Sequence, residues 1–272
     1  MSGTIVPRAE IVDELSTQWA AIAEFTAALT DTQWAQPSIL PGWSVADVVA
    51  HVIGTESMLE GREVTAGRDV AALDHVHNAI GEFNENWLDH FRTRPRDEVA
   101  AAYREIVETR SAALAAMSQE DFDAETVTPA GRDTYGRFMR IRVFDCWMHE
   151  IDIRDTIDSP PPVEPTTAAR ALDEIAASLP FVIGKRAGAP DGSRVLVDVT
   201  GVGGRRLHVA VDGRAAMVDD FGGVEPDVTL RLDIIDLARL IGGRATADPS
   251  RVEITGDRAL GEQIVRVLAY TI

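Results

Sequence analysis

The chain has 272 residues, 45% of them hydrophobic and 26% charged, and a formal charge of -18 at pH 7. That charge, with no Lys/Arg cluster, excludes a sequence-independent nucleic-acid binder, because a phosphate backbone needs a basic face; no apolar run approaches the roughly 20 residues of a membrane span. The lone cysteine, Cys146, excludes an internal disulfide and cysteine-rich zinc modules, and the opening residues, MSGTIVPRAEIVDE, lack a basic-then-apolar leader, so the cytoplasm is the expected compartment.

A length of this size accommodates two modest domains. Over residues 8–29, Ile11, Leu15, Trp19, Ile22, Phe25 and Leu29 recur at helical spacing and predict an amphipathic helix. Prolines at 37 and 41 then mark a loop. It ends at Ser44, which with Asp47 forms a Ser-x-x-Asp capping box, so a second helix is expected from about Val45. Its apolar stripe runs through Val45, Val48, Val52 and Leu59, with His51 on the edge of that stripe. Two further helical segments follow, 78–91 and 96–117, separated by Pro95. The next helix, about 135–156, places Phe138, Ile141, Asp145, His149 and Asp152 on one side.

Prolines within DSPPPVEP, at 158–165, prevent that helix from continuing, and composition changes beyond them. The expected division is therefore 1–160 and 161–272. In the second part a helix at 166–180 precedes alternating segments at 194–200, 206–212, 215–219 and 227–232, with Asp212-Gly213 as a hairpin turn. GVGGRR at 201–206 reads as another hairpin connection. A helix at 233–243, a short strand at 251–255 and a helix at 257–271 complete a small α+β unit.

Asp145 and His149 are spaced i and i+4, one turn apart on one helical face, a separation that a single metal ion can bridge. Alone, the pair reads better as a hydrogen-bonded core pair. His51 tips the balance: in an antiparallel bundle its helix can face the one carrying Asp145. Two histidines and one carboxylate form a catalytic-type set with an open coordination position. Asp74, His75, His77 and His90 are competing ligands, ranked lower because they fall in a loop or near helix ends. Cys146 points roughly 100° away from Asp145 and reads as a small hydrophobe. No Gly-x-Ser-x-Gly elbow and no Gly-rich phosphate loop is present.

LPGWSVADVVAHV at 40–52 and RVFDCWMHEIDIR at 142–154 together resemble the mycothiol-dependent maleylpyruvate isomerase family. The resemblance spans nearly the whole chain. It implies an N-terminal DinB-like four-helix bundle followed by a small sterol-carrier-like α/β domain. It also implies that His51, Asp145 and His149 bind a divalent metal, most often zinc, and that mycothiol is the thiol cofactor. The isomerase has Glu where this chain has Asp145, which keeps the charge but shortens the reach by one methylene. An arginine of the second domain matters for activity in that enzyme; LIGGRATAD makes Arg244 the best match, with Arg239, Arg251 and Arg258 nearby.

The implied activity is that of a thiol-using isomerase or S-transferase acting on a small-molecule electrophile. Zinc would favour the thiolate, which could add to an activated double bond, permit rotation and be eliminated. Arg244 would hold a substrate carboxylate. Glu150 and Asp152 are candidates for orienting ligands or handling protons, with solvated-surface and helix-pairing roles as the favoured alternatives. Two other readings stand beside this one: a metal-assisted hydrolase, and a non-catalytic binding protein for a small molecule or lipid. No nucleic-acid or membrane partner is expected, and the oligomeric state is left open.

Overall fold

A computed structural model describes residues 3–271. The chain divides into two compact units, Met1–Pro160 and Pro161–Ile272. The helix that closes the first unit is ended by Asp158 at φ +54°, while the Ser159 N–H reaches back to the Arg154 carbonyl at 2.9 Å. Pro160, Pro161 and Pro162 then cannot supply helical N–H groups.

The first unit contains α1 (Arg8–Ala27), α2 (Asp31–Ala35), α3 (Val45–Leu59), α4 (Ala79–Arg92), α5 (Arg96–Ala116) and α6 (Gln119–Asp123). A hairpin of β1 (Glu125–Thr128) and β2 (Gly131–Thr134) leads into α7 (Tyr135–Thr156). The long helices α1, α3, α5 and α7 pack against one another, α1 on α7 and α5, α3 on α5 and α7, with α4 laid along α3. The α1 stripe is buried at Ile11, Leu15, Trp19 and Ile22, each such side chain contributing roughly 1.5–3 kcal/mol by leaving water. Phe25 stays partly exposed and carries the Arg154 guanidinium 4.0 Å above its ring. The Tyr103 hydroxyl ties α5 to α1 by donating to the Trp19 carbonyl at 3.0 Å. Buried positions occur on every side of α7, from Phe138 and Met139 to Asp152 and Ile153.

One glycine fixes the α3–α4 approach. A Cβ at Gly54 would lie 2.5 Å from Cγ of Trp87. Only the missing side chain lets the indole press onto the α3 backbone, bringing α4 close enough for its polar residues to reach those of α3.

The second unit comprises α8 (Pro165–Pro180), a π-helical segment Phe181–Arg186, β3 (Arg194–Thr200), β4 (Arg206–Asp212), β5 (Arg214–Val218), β6 (Val228–Asp233), α9 (Ile234–Ile241), a 3-10 turn Pro249–Arg251, β7 (Glu253–Gly256) and α10 (Arg258–Arg266). The sheet order is β5-β4-β3-β6-β7, with β3–β6 parallel and the other pairs antiparallel. Register aligns Val195, Val197 and Val199 with Val209, Leu207, Val228, Leu230 and Leu232 on one buried face, on which α8, α9 and α10 pack. Asp198, Arg206, His208 and Arg231 fall on the other, as a period of two requires.

The expected order, a helical part followed by a small α/β unit, is the observed one. The single-turn helices α2 and α6 and the β1–β2 hairpin are additions. Both short helices begin at capping boxes, Thr30 with Gln33 and Ser118 with Asp121. The last helix stops at Arg266 instead of continuing to 271: beyond it the Tyr270 N–H pairs with the Ile241 carbonyl at 3.1 Å, a bond incompatible with helix continuation.

Candidate metal centre

The site begins with the cap of α3. Ser44 accepts from the Asp47 N–H while Asp47 accepts from the Ser44 N–H at 2.8 Å, fixing the helix start and the phase of His51. Trp43, just before the cap, places its ring centroid 5.4 Å from that of His51 and 6.2 Å from that of His149. Its indole N–H donates to Glu85 at 2.9 Å. The Glu85 carboxylate also contacts His75 Nε2 and Arg92, each at 2.8 Å. Burial pushes the Glu85 acid upward, but these partners outweigh it and hold it below the ordinary value. Gly42, at φ +78°, is covered by the His75 ring, whose Cε1 would stand 2.4 Å from any Cβ there. His75 therefore secures the loop that carries Trp43 and is not gathered with the candidate ligands.

His51, Asp145 and His149 do come together: one potential ligand atom from each lies within 4.8 Å of the others. His51 Nε2 is 3.2 Å from Asp145 Oδ2, and His149 Nε2 is 3.7 Å from Oδ1. The imidazoles are nearly perpendicular, 4.7 Å between centroids. Both histidine side chains are buried, at 8% and 9% exposure, while Asp145 is 29% exposed and marks the side open to solvent.

The outer nitrogen of each ring is held. His51 Nδ1 lies 3.1 Å from Asn84 Oδ1 of α4, and His149 Nδ1 lies 2.9 Å from Asp152 Oδ2. Burial depresses the His51 pKa, assisted by His149 and Arg142 and opposed by Asp145, so at neutral pH the ring carries one N–H. With that proton on Nδ1 toward Asn84, a nitrogen lone pair faces the Asp145 carboxylate. Two imidazole nitrogens and one carboxylate, with both outer nitrogens anchored, fit a divalent ion of the zinc class.

Asp145 is further fixed by Arg142, one turn earlier on α7. The guanidinium donates to Asp145 Oδ2 at 2.5 Å, to Glu56 Oε1 at 2.8 Å and to Cys146 Sγ at 3.5 Å. Glu56 is shared with Arg110 of α5, at 3.0 Å. Burial works against the Asp145 carboxylate, but the charge of Arg142, with His149 and His51, holds its pKa well below the ordinary value. Burial pushes the Cys146 thiol up, against the pull of Arg142.

Other sequence candidates lie elsewhere. Asp74 and His77 are exposed, and His90 Nε2 contacts Arg94 at 2.9 Å. Glu150 is buried, ties α7 to Gln18 of α1 at 2.7 Å and accepts from Arg154 of its own helix at 2.8 Å. Arg244 belongs to the second unit, in the turn after α9, where its guanidinium donates to the Gly242 carbonyl at 2.9 Å. Its three rivals are ion-paired, Arg239 and Arg251 with Asp236 and Arg258 with Glu262. Asn84, Arg142 and Trp43 escaped the sequence reading as site residues; for Arg142 the available signal was its position i-3 to Asp145.

Residues 15–154 match the family model described as mycothiol maleylpyruvate isomerase N-terminal domain, and residues 170–263 match the model described as MDMPI C-terminal domain. The crystal structure of the mycothiol-dependent maleylpyruvate isomerase shares the fold over 92% of this chain and 93% of that one, at 14% identity and a TM-score of 0.60. A histidine-to-alanine mutant of that isomerase aligns over the same shares, at 14% identity and a TM-score of 0.58. No curated protein matches the sequence.

Proposed function

The chain belongs to the mycothiol maleylpyruvate isomerase family, and from that premise we propose that it is a metal-dependent enzyme using a low-molecular-weight thiol, mycothiol, as cofactor or co-substrate. The reaction is of the isomerase or S-transferase type, on a small-molecule electrophile. In this reading 1–160 is the DinB-like metal-binding bundle and 161–272 the sterol-carrier-like domain. His51, Asp145 and His149 hold the ion, zinc by the character of the donors. When bound, zinc supplies the charge that keeps a thiol deprotonated at neutral pH.

The protein's own groups prepare that site. Asn84 and Asp152 fix which nitrogen of each imidazole faces the centre. Trp43 sets an apolar ring against both imidazoles, and a low-dielectric neighbour strengthens charge interactions beside it. Arg244 is assigned to hold a substrate carboxylate, as a guanidinium does bidentately.

The observation that carries the reading is the convergence of three ligand atoms from α3 and α7 within 4.8 Å. Metal analysis of protein purified without chelator tests it. The expected result is about one zinc per chain, lost in His149→Ala. Metal-free protein that takes up no zinc on titration would overturn the assignment.

A further inference from the structure

We propose that Arg142 is a positioning residue that restricts Asp145 to a single-oxygen ligand, leaving the rest of the coordination sphere to the second substrate. This rests on the metal reading of the same site. The guanidinium is 3% exposed and has a fixed address: Nε on Glu56 at 2.8 Å, one terminal nitrogen on Asp145 Oδ2 at 2.5 Å and the other toward Cys146 Sγ at 3.5 Å. Glu56 is itself fully buried and pinned from the opposite side by Arg110, which also bonds Glu60 at 2.8 Å and the Tyr135 hydroxyl at 3.0 Å. The donor aimed at Oδ2 therefore cannot swing away without leaving Glu56 short of a partner in the core.

A carboxylate that chelates a metal must turn both oxygens toward it. Here Oδ2 is engaged by a charge-assisted hydrogen bond, and Oδ1, 3.7 Å from His149 Nε2, is the oxygen left for the ion. The short Asp side chain reinforces this, since it has one fewer torsion than Glu with which to rotate its carboxylate out of the clamp.

Cobalt-substituted protein and infrared spectroscopy test the clamp without reference to turnover. In wild-type protein labelled with carboxyl-13C aspartate, the metal-loaded minus metal-free infrared difference should show the widely split carboxylate stretches of monodentate ligation; a narrow, bidentate splitting overturns the proposal. Arg142→Met should lower the visible cobalt absorption as Asp145 becomes bidentate and coordination number rises. Arg142→Lys, whose ammonium can still donate to Oδ2, should keep the wild-type spectrum. A folded, cobalt-loaded Arg142→Met with the wild-type spectrum also overturns it. Should that variant not fold, the wild-type infrared result decides. Wild-type protein binding no cobalt would instead defeat the underlying metal reading, a distinct outcome.

Discussion

Replacing Asp152 by Asn removes a charge from behind the site while leaving His51, Asp145 and His149 in place. Asp152 is fully buried and lies one turn beyond His149, with Oδ2 2.9 Å from the ring's Nδ1. An aspartate there fixes the Nδ1–H tautomer and makes Nε2 a stronger donor; an amide oxygen can still accept, but without the charge. Loss of such a partner typically costs 10–100-fold in metal affinity, or about 1.4–2.7 kcal/mol. Zinc affinity should be measured by competition with a chromophoric chelator, with thermal unfolding of the metal-free proteins as the control for global stability. A folded Asp152→Asn protein with unchanged zinc affinity would refute the reasoning, showing that the contact merely satisfies two buried polar groups.

Gly54→Ala should destabilise the protein by about 1–3 kcal/mol in denaturant unfolding, because the new Cβ meets the Trp87 ring and overpacks the α3–α4 contact; an unchanged midpoint would contradict that packing. Asp133 accepts from the Thr4 N–H at 2.7 Å, the Thr134 N–H at 2.8 Å and Arg137 at 2.9 Å. Burial acts against its charge, but those bonds hold its pKa below the ordinary value. Since the folded value is the lower one, the stabilisation is present above the unfolded pKa and is lost as pH falls through the folded one. Wild type should thus exceed Asp133→Asn by about 1–3 kcal/mol at pH 7, with the difference shrinking below about pH 4 in acid-unfolding curves. Cys146, buried with its thiol pKa raised, should not react with an aromatic disulfide reagent at pH 8 until the protein is unfolded; prompt reaction of native protein would contradict its burial.

That His51, Asp145 and His149 cluster was legible because the signal is local. Asp145 and His149 are one turn apart on a helix, His51 follows a capping box, and both stretches carry a family likeness. Asn84 was not legible: its approach to His51 depends on how closely α4 lies on α3, which is decided by the contact of Trp87 with Gly54, a glycine on another helix. Arg142 was overlooked for another reason. Arginine is usually exposed, and its burial here requires Glu56 from one helix and the α5 pair of Glu56 with Arg110, visible only once the bundle is assembled. Glu150 takes the helix-pairing role: it accepts from Gln18 of α1, and Arg154 on its own helix holds its other oxygen. The short helices α2 and α6 had readable caps, but one turn is too brief for an apolar period to appear.

The central claim, that the trio presents a metal to a thiol, is tested most directly by adding mycothiol to the cobalt-substituted protein and recording the near-ultraviolet spectrum. The account predicts a sulfur-to-cobalt charge-transfer band that saturates with added mycothiol, is not produced by the same sugar lacking its thiol, and is lost in His51→Ala. A cobalt-loaded wild-type protein that develops no such band at saturating mycothiol would contradict it.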